Sequence, residues 1–282
     1  MVDYERMRFA AEERIDLRDW SIRSMKVRRA MGYMGDANGL RVLDVGCGEG
    51  ALCRTIKHVF PGAAMHGCDV SAAQLERARE LGGGVCYAIC GDGLPYADKS
   101  FDVVFMMDVL EHVSQPPGLL AEIWRVLADG GRVLLHCPCE GQTLTLHWLV
   151  WRLGLAAGNF KRDLVGHVQR FSHAEVFRLF RAAAFQRQDV KYSIHPLGQA
   201  LDLLCFWRQW CDRHVSGGRS TAFQRFMVWL PWYRVNPWLA KVMGVESTIF
   251  SRSASGMGID ACFRKGSAAA TRARQADKES QA

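Results

Sequence analysis

The residues best suited to chemistry stand at the ends of apolar runs. Asp44-Val-Gly46-Cys-Gly48-Glu-Gly50 places a carboxylate and then glycines at alternate positions directly after Leu40-Arg-Val-Leu43. Alternating glycines let the backbone turn sharply and let a ligand approach the main chain, where N–H groups opening the next helix can hold a carboxylate or phosphate. The spacing differs from the Gly-x-Gly-x-x-Gly of dinucleotide folds, and by itself it also fits a plain strand-to-helix loop. Later acids narrow the choice. Asp69 ends the next apolar run, which starts at Ala63, where a βαβ unit places its next strand end. A carboxylate there can accept both hydroxyls of an adenosine ribose. Asp92 and Gly93 follow the run Val85–Cys90, and Asp108 follows Phe101–Met107. Glu111, His112 and His167 add groups able to accept a proton.

These positions need strands to carry them. Val42, Leu43 and Val45 suit a strand covered on both faces. Ser71 reads as the cap of a helix reaching Glu80. After a loop at Gln115-Pro-Pro-Gly118, a helix over Leu119–Leu127 carries Leu120, Ile123, Trp124 and Leu127 on one face. Asp129-Gly-Gly131 then turns into a fifth strand, Arg132–Cys137. Ser172-His-Ala-Glu175 fits a capping box opening a helix to Ala184, and Gln186–Ser193 and Gly258–Arg264 read as the sixth and seventh strands. Residues 1–35 mix arginines with Met7, Ile15, Leu17, Trp20, Ile22, Met25 and Val27, a helical alternation ending at Gly32 and Gly35. Its arginines read mainly as a solvated face.

From about Leu40 to Leu135 the chain resembles a class I S-adenosylmethionine-dependent methyltransferase, of the small-molecule type that includes quinone and sterol methyltransferases. The resemblance rests on ordered motifs: Val42-Leu-Asp-Val-Gly-Cys-Gly-Glu-Gly50, Gly67-Cys-Asp-Val-Ser71, Gly91-Asp92 with Leu94-Pro95, Ser100-Phe-Asp-Val-Val104, Leu110-Glu-His-Val113 and Arg125-Val-Leu-Ala-Asp-Gly-Gly-Arg-Val-Leu-Leu135. It implies a doubly wound α/β fold, a Rossmann-like seven-stranded mixed sheet, with S-adenosylmethionine as cofactor. By that resemblance Asp44 would order the glycine loop or reach the cofactor's amino group through water, and Gly46 and Gly48 would admit the methionine carboxylate. Gly50 and Gly93 would belong to the same cofactor site. Asp69 would hold the ribose, Asp92 the adenine amino group, and Asp108 would line the methionine end. In such relatives a Gly-His-x-x-x-Phe-Ser stretch, here Gly166–Ser172, sits at the substrate mouth. His112, His167 and Glu111 are the candidate bases, although a loop histidine that merely bonds backbone fits His167 equally well.

The segment 138–170 and above all the segment 195–257 depart from the minimal pattern, the latter inserted between the sixth and seventh strands. Ala200, Leu203, Leu204, Trp207, Trp210 and Cys211 repeat at helical spacing, and Phe223, Phe226, Met227, Trp229 and Leu230 form a second stripe. Asn236-Pro237 reads as the start of a short helix through Met243, with proline in the first turn. Tryptophan and arginine beside apolar helical faces suit a membrane interface through 199–243, and equally an apolar lid over a substrate pocket. The expected layout is a helical cap (1–39), a cofactor-binding core (40–194), a Trp-rich lid (195–257), the last strand (258–265) and a disordered polar tail (266–282).

A formal charge of +7 on 282 residues favours contact with something anionic. Nucleic-acid amino methylation would call for Asn/Asp-Pro-Pro-aromatic after the fourth strand, where this chain has Asp108-Val-Leu-Glu111, so no nucleic-acid partner is expected. Cys47 in the turn and Cys68, Cys86 and Cys90 on strands expected to be buried point to free thiols and a reducing compartment. Cys137-Pro-Cys139 lacks a second pair at zinc spacing, and no metal is expected. The start of the chain is charged too early for a signal peptide, and no run of apolar residues is long enough to span a bilayer. The expected location is cytoplasmic, with peripheral contact to the inner face of a membrane as an added option. The sequence therefore points to methyl transfer from S-adenosylmethionine to a hydrophobic or lipid-linked small molecule. The competing reading is a non-catalytic methyltransferase-like module docking on a membrane assembly.

Overall fold

The structure, a computed structural model, describes residues 13–91, 93–154, 165–215 and 232–266. One sheet organises it. Strands β1 (Arg41–Val45), β2 (Ala64–Asp69), β3 (Cys86–Ile89), β4 (Phe101–Met107) and β5 (Leu127–Pro138) run parallel. β7 (Gly258–Lys265) lies antiparallel between β5 and β6 (Phe185–Ser193). The order is β3-β2-β1-β4-β5-β7-β6, the doubly wound mixed sheet expected from the sequence. It reverses direction between β1 and β4, so the carboxyl ends of both strands open onto one crevice, the place where ligands bind in such folds.

Helices cover both faces. On one side α1 (Ile22–Met34), α2 (Ala51–Val59) and α3 (Ala72–Glu80) bury Val27, Met34, Ile56 and Leu75. On the other, α4 (Pro116–Val126) and α6 (His173–Ala182) bury Leu120, Ile123, Val176 and Phe180, with Phe180 stacked on Phe263 of β7 at 3.9 Å between ring centroids. The capping box at Ser172 and Glu175 is present, as the spacing predicts. A short helix, α5 (Leu146–Arg152), follows β5, and the insertion between β6 and β7 contains α7 (Pro196–Val215) and α8 (Trp232–Ile249).

The structure corrects several expectations. The turn at Gln115–Gly118 is not a loop before α4: the helix starts at Pro116, where a missing N–H and a fixed φ cost nothing. Pro237 does not open a helix; it sits inside α8. The helix continues past it because its later turns are anchored. Met243 packs with Ile194 and Met257, and Ser247 is buried and bonds the Ile194 N–H. A Cβ at Gly244 would fall on the Trp20 carbonyl, so α8 presses directly on the start of α1. Cys86 is exposed rather than buried, since β3 is the sheet's edge strand, and Cys90 is half-buried. The arginines of α1 are not all solvated: Arg29 is buried. Met7, the stripe Phe223–Leu230 and the tail beyond Gly266 lie outside the described residues, as do the side chains of Trp210 and Cys211. Among the described residues no helix is long and apolar enough to cross a membrane.

Candidate active site

The carboxyl ends of β1, β2 and β4 open into a cavity of about 1130 Å³, slightly more than the roughly 300–1,000 Å³ usual for one ligand. Its inner wall is the glycine loop. Gly46, Gly48 and Gly50 all have positive φ, and a Cβ on Gly46 would stand 2.6 Å from Val109 Cγ2. The loop is therefore built for close backbone approach. Gly50 caps α2 and offers its first turn no side-chain hydrogen bond, which suits the helix N-terminus to receiving a carboxylate. Asp69 accepts the Gly48 N–H at 2.8 Å on one oxygen and the Ser71 N–H at 2.9 Å on the other, locking the loop to the end of β2. Each carboxylate oxygen keeps a second lone pair for a ribose hydroxyl. Gly93 and the exposed apolar Val70 line the same wall; Asp92 lies outside the described residues.

Asp44 is buried beneath the loop. Burial pushes its carboxyl up to about 7, against the partial relief of a Cys53 thiol donating at 3.4 Å. Opposite it, Asp108 ends β4 with a positive φ of 56°, a strained backbone for a residue other than glycine. The surrounding protein opposes its charge although nearly half of the side chain is open to the cavity, and Lys26 Nζ at 3.1 Å and His136 Nε2 at 3.3 Å outweigh that and hold the carboxyl below the usual range. His136 is fully buried, and its Nδ1 meets Asp260 Oδ1 at 2.6 Å, the two residues being direct cross-strand partners on β5 and β7. Arg29 completes the chain. Its Nη1 pairs with Asp260 Oδ2 at 2.5 Å and donates to the Tyr192 carbonyl at 3.0 Å, while its Nη2 donates to the Ser247 carbonyl of α8. Burial works against the Asp260 charge, but His136 and Arg29 keep its carboxyl low.

The far wall brings the three candidate bases together. Glu111 and His112 lie on a 3₁₀ turn, Leu110–His112, just after Asp108. The Glu111 carbonyl accepts the Val168 and Gln169 N–H groups, which draws the His167 loop onto that turn. The His112 and His167 rings meet edge to face at 4.8 Å, and each presents Nε2 at 3.9 Å from Glu111 Oε1. Glu111 is completely buried, and burial together with the Asp108 charge drives its carboxyl well above the usual range. Burial and the neighbouring His167 lower His112. His167 is more than a backbone-bonding loop residue: its Nδ1 bonds the buried Glu140 carboxylate at 2.7 Å.

The match to a methyltransferase-domain family model covers residues 43–135. A ubiquinone/menaquinone biosynthesis C-methyltransferase of Desulfotalea psychrophila is 31% identical over 190 residues, which is 61% of this chain and 75% of that protein. The chain belongs to the class I S-adenosylmethionine-dependent methyltransferases. A demethylmenaquinone methyltransferase of Tropheryma whipplei is 38% identical over 116 residues, 40% of this chain and 46% of that protein, so the chain spans about half the length of that relative. An S-adenosylmethionine-dependent methyltransferase structure from Mesorhizobium loti shares the fold, with a TM-score of 0.54 at 17% identity over 86% of this chain and 98% of that one. The loop, the α2 N-terminus and Asp69 fit the family's cofactor: positive-φ glycines would give it room, the α2 N-terminus, which has no side-chain cap among the described residues, would receive its carboxylate, and Asp69 would have acceptor capacity left for its ribose.

Sequence reasoning missed Lys26, Arg29, His136, Glu140 and Asp260. His136 and Asp260 become visible only with the β5–β7 register, and Lys26 and Arg29 sit among arginines that look like an ordinary polar face. Glu140, close after the fifth strand, carries no local signal of its own.

Proposed function

We propose that this protein transfers the methyl group of S-adenosylmethionine to a hydrophobic or lipid-linked small molecule. The observation that carries the reading is that the cofactor half of the cavity, at the ends of β1, β2 and β4, is continuous with the Glu111–His112–His167 wall. A methyl group leaving the sulfonium in line would therefore meet an acceptor held against that wall. Positioning is the main contribution in such a displacement, and effective molarities for well-oriented partners are very large. Asp69 and the glycine loop hold the nucleoside and methionine ends. Asp108, kept ionised by Lys26 and His136, faces the positively charged end of the cofactor. Val165 and Phe206 of the insertions, with Ile194 directly after β6, close the acceptor side with mainly apolar surface.

The quinone-directed names of the relatives agree with a greasy acceptor. So does the outer surface of α8, where Trp238, Val242, Val245 and Ile249 are exposed at helical spacing, with Lys241 beside the Trp238 ring. That stripe supports peripheral contact with an anionic bilayer. The test is calorimetric titration of S-adenosylmethionine and S-adenosylhomocysteine into wild type and Asp69→Ala, followed by an acceptor screen beginning with quinone precursors and membrane lipids. Cofactor binding that disappears in the variant and methylated product from an apolar acceptor support the reading. A folded wild type that binds neither nucleoside overturns it and favours the docking module, and turnover confined to water-soluble acceptors overturns the apolar-acceptor part.

A further inference from the structure

The Glu111–His112–His167 wall is arranged in a way that acid–base catalysis does not require. The His112 Nδ1 faces the Gly166 carbonyl at 3.2 Å, and the His167 Nδ1 faces a Glu140 carboxylate oxygen at 2.7 Å. Both partners only accept hydrogen bonds, so both Nδ1 atoms carry a proton, and in the neutral rings each Nε2 presents its lone pair. Those lone pairs converge on Glu111, 3.9 Å from the same oxygen. Among the described residues neither oxygen of Glu111 has a hydrogen-bond partner, although the residue is fully buried. A buried carboxyl left unsatisfied carries the full cost of its lost hydration, and more when it is charged. A cation at the centre of the group satisfies that carboxyl.

The dimensions suit one. The candidate ligand atoms all lie within 4.8 Å of one another. Zn–N bonds of about 2.0–2.1 Å and Zn–O bonds of about 2.0–2.2 Å separate tetrahedral ligands by roughly 3.4 Å. Shifts of about half an ångström at the two 3.9 Å pairs, and of up to about 1.4 Å at the widest separation, bring the atoms to that spacing. Two imidazoles with one carboxylate favour zinc-class transition metals over magnesium or calcium, which take oxygen ligands. Glu140 behind His167 and the Gly166 carbonyl behind His112 are the outer partners that orient histidine ligands in metal centres.

We propose that Glu111, His112 and His167 hold one divalent transition-metal ion of the zinc class, with its fourth position open to the cavity. Resting on the methyl-transfer reading, that open position takes the ionisable oxygen of a phenolic or enolic acceptor. The bound O–H gives its proton to solvent. The oxygen attacks the methyl carbon, a C–O bond forms as the C–S bond breaks, and the bonding pair returns to sulfur as S-adenosylhomocysteine leaves. His112, His167 and Glu111 then act as ligands rather than as proton acceptors.

The experiment uses the full chain, stripped with chelator and desalted, and titrates Co²⁺ while the visible d–d absorption is read, with Zn²⁺ as competitor. S-adenosylhomocysteine binding and circular dichroism are measured on the same samples. The expected result is a band saturating at one equivalent and abolished by Zn²⁺. It should be absent in His167→Ala and Glu111→Gln and weakened roughly 10–100-fold in Glu140→Gln, as for outer-shell partners, with S-adenosylhomocysteine binding retained. Absence of a saturable band in folded wild type overturns the site, as does a Co²⁺ affinity unchanged in all three variants. A metal band without nucleoside binding leaves the site standing and removes the methyl-transfer reading; nucleoside binding without the band does the reverse.

Discussion

Arg29→Met removes the cation that closes the buried chain from α8 to the cofactor site while keeping an apolar stem of similar length. Arg29 and Asp260 are both nearly inaccessible, with side chains 8% and 4% exposed. Breaking a buried ion pair from one side costs about 3–5 kcal/mol, because the remaining charge stays desolvated. Here His136 still bonds Asp260, which moderates the loss, but the Tyr192 and Ser247 carbonyls also lose their donor. A net destabilisation of about 3–4 kcal/mol follows, a large share of the ~5–15 kcal/mol that a domain holds in total. At roughly 2–4 °C per kcal/mol for a chain of this size class, the melting temperature falls by about 6–16 °C.

Urea denaturation followed by tryptophan fluorescence and circular dichroism measures this directly. A second arm tests the cause. Asp260 has a depressed carboxyl in the fold, so the stability it contributes is complete above the unfolded carboxylate pKa of about 4 and is lost as pH falls through the lower folded value. The gap between wild type and Arg29→Met should therefore narrow below about pH 4. The double variant Arg29→Met/Asp260→Leu should recover part of the single-variant loss, because it removes the under-compensated Asp260 charge at the expense of the His136 Nδ1 hydrogen bond. A single-variant loss below about 1 kcal/mol, or a gap independent of pH, would refute the argument that this pair is a desolvated, charge-dependent link.

Asp44 has the opposite linkage: its carboxyl is raised to about 7, so the folded chain holds a proton that the unfolded chain releases near pH 4. Stability of the cofactor-free protein should fall as pH rises from about 4 to 7, by up to about 4 kcal/mol, and Asp44→Asn should lose that slope; parallel pH profiles for the two proteins would contradict it. Phe180→Ala opens a hole between α6 and β7 where the ring stacks on Phe263, and should cost about 3–5 kcal/mol in chemical denaturation. Gly244→Ala places a methyl group on the Trp20 carbonyl and should separate α8 from α1, lowering stability and weakening S-adenosylhomocysteine binding in calorimetry; unchanged values for both would mean that the helices do not press together.

The cofactor half was legible because each of its groups is announced locally. An apolar run, a glycine turn and an acid at the run's end need no knowledge of the partner strands, and Asp44, Gly46, Asp69 and Asp108 all line the cavity where that logic puts them. The acceptor half was legible only as residue types. Glu111, His112 and His167 could be singled out, but their convergence depends on the Glu111 carbonyl capturing the Val168 and Gln169 N–H groups, a contact between segments more than one element apart. The charged chain was not legible at all. His136 and Asp260 are 124 residues apart, and Arg29 and Asp260 are 231 apart. Periodicity assigns an arginine to a polar helix face and has no means of seeing a carboxylate buried beneath it.

That hidden chain explains how an insertion far along the sequence can matter to a site assembled from the first four strands. Glu246 of α8 accepts the Leu197 and Gly198 N–H groups at the start of α7, and Ser247 bonds the end of β6 while its carbonyl holds Arg29. Arg29 meets Asp260, Asp260 meets His136, and His136 reaches Asp108 on the cavity wall. The insertion is thus attached to the core through ionic and hydrogen-bonded groups as well as through apolar packing. Apolar contacts tolerate sliding, whereas a buried carboxylate shared between an imidazole and a guanidinium accepts only a narrow set of positions. An acceptor that displaced α7 and α8 would have to break that geometry, so the chain couples the outer cover of the pocket to Asp108 on the cavity wall.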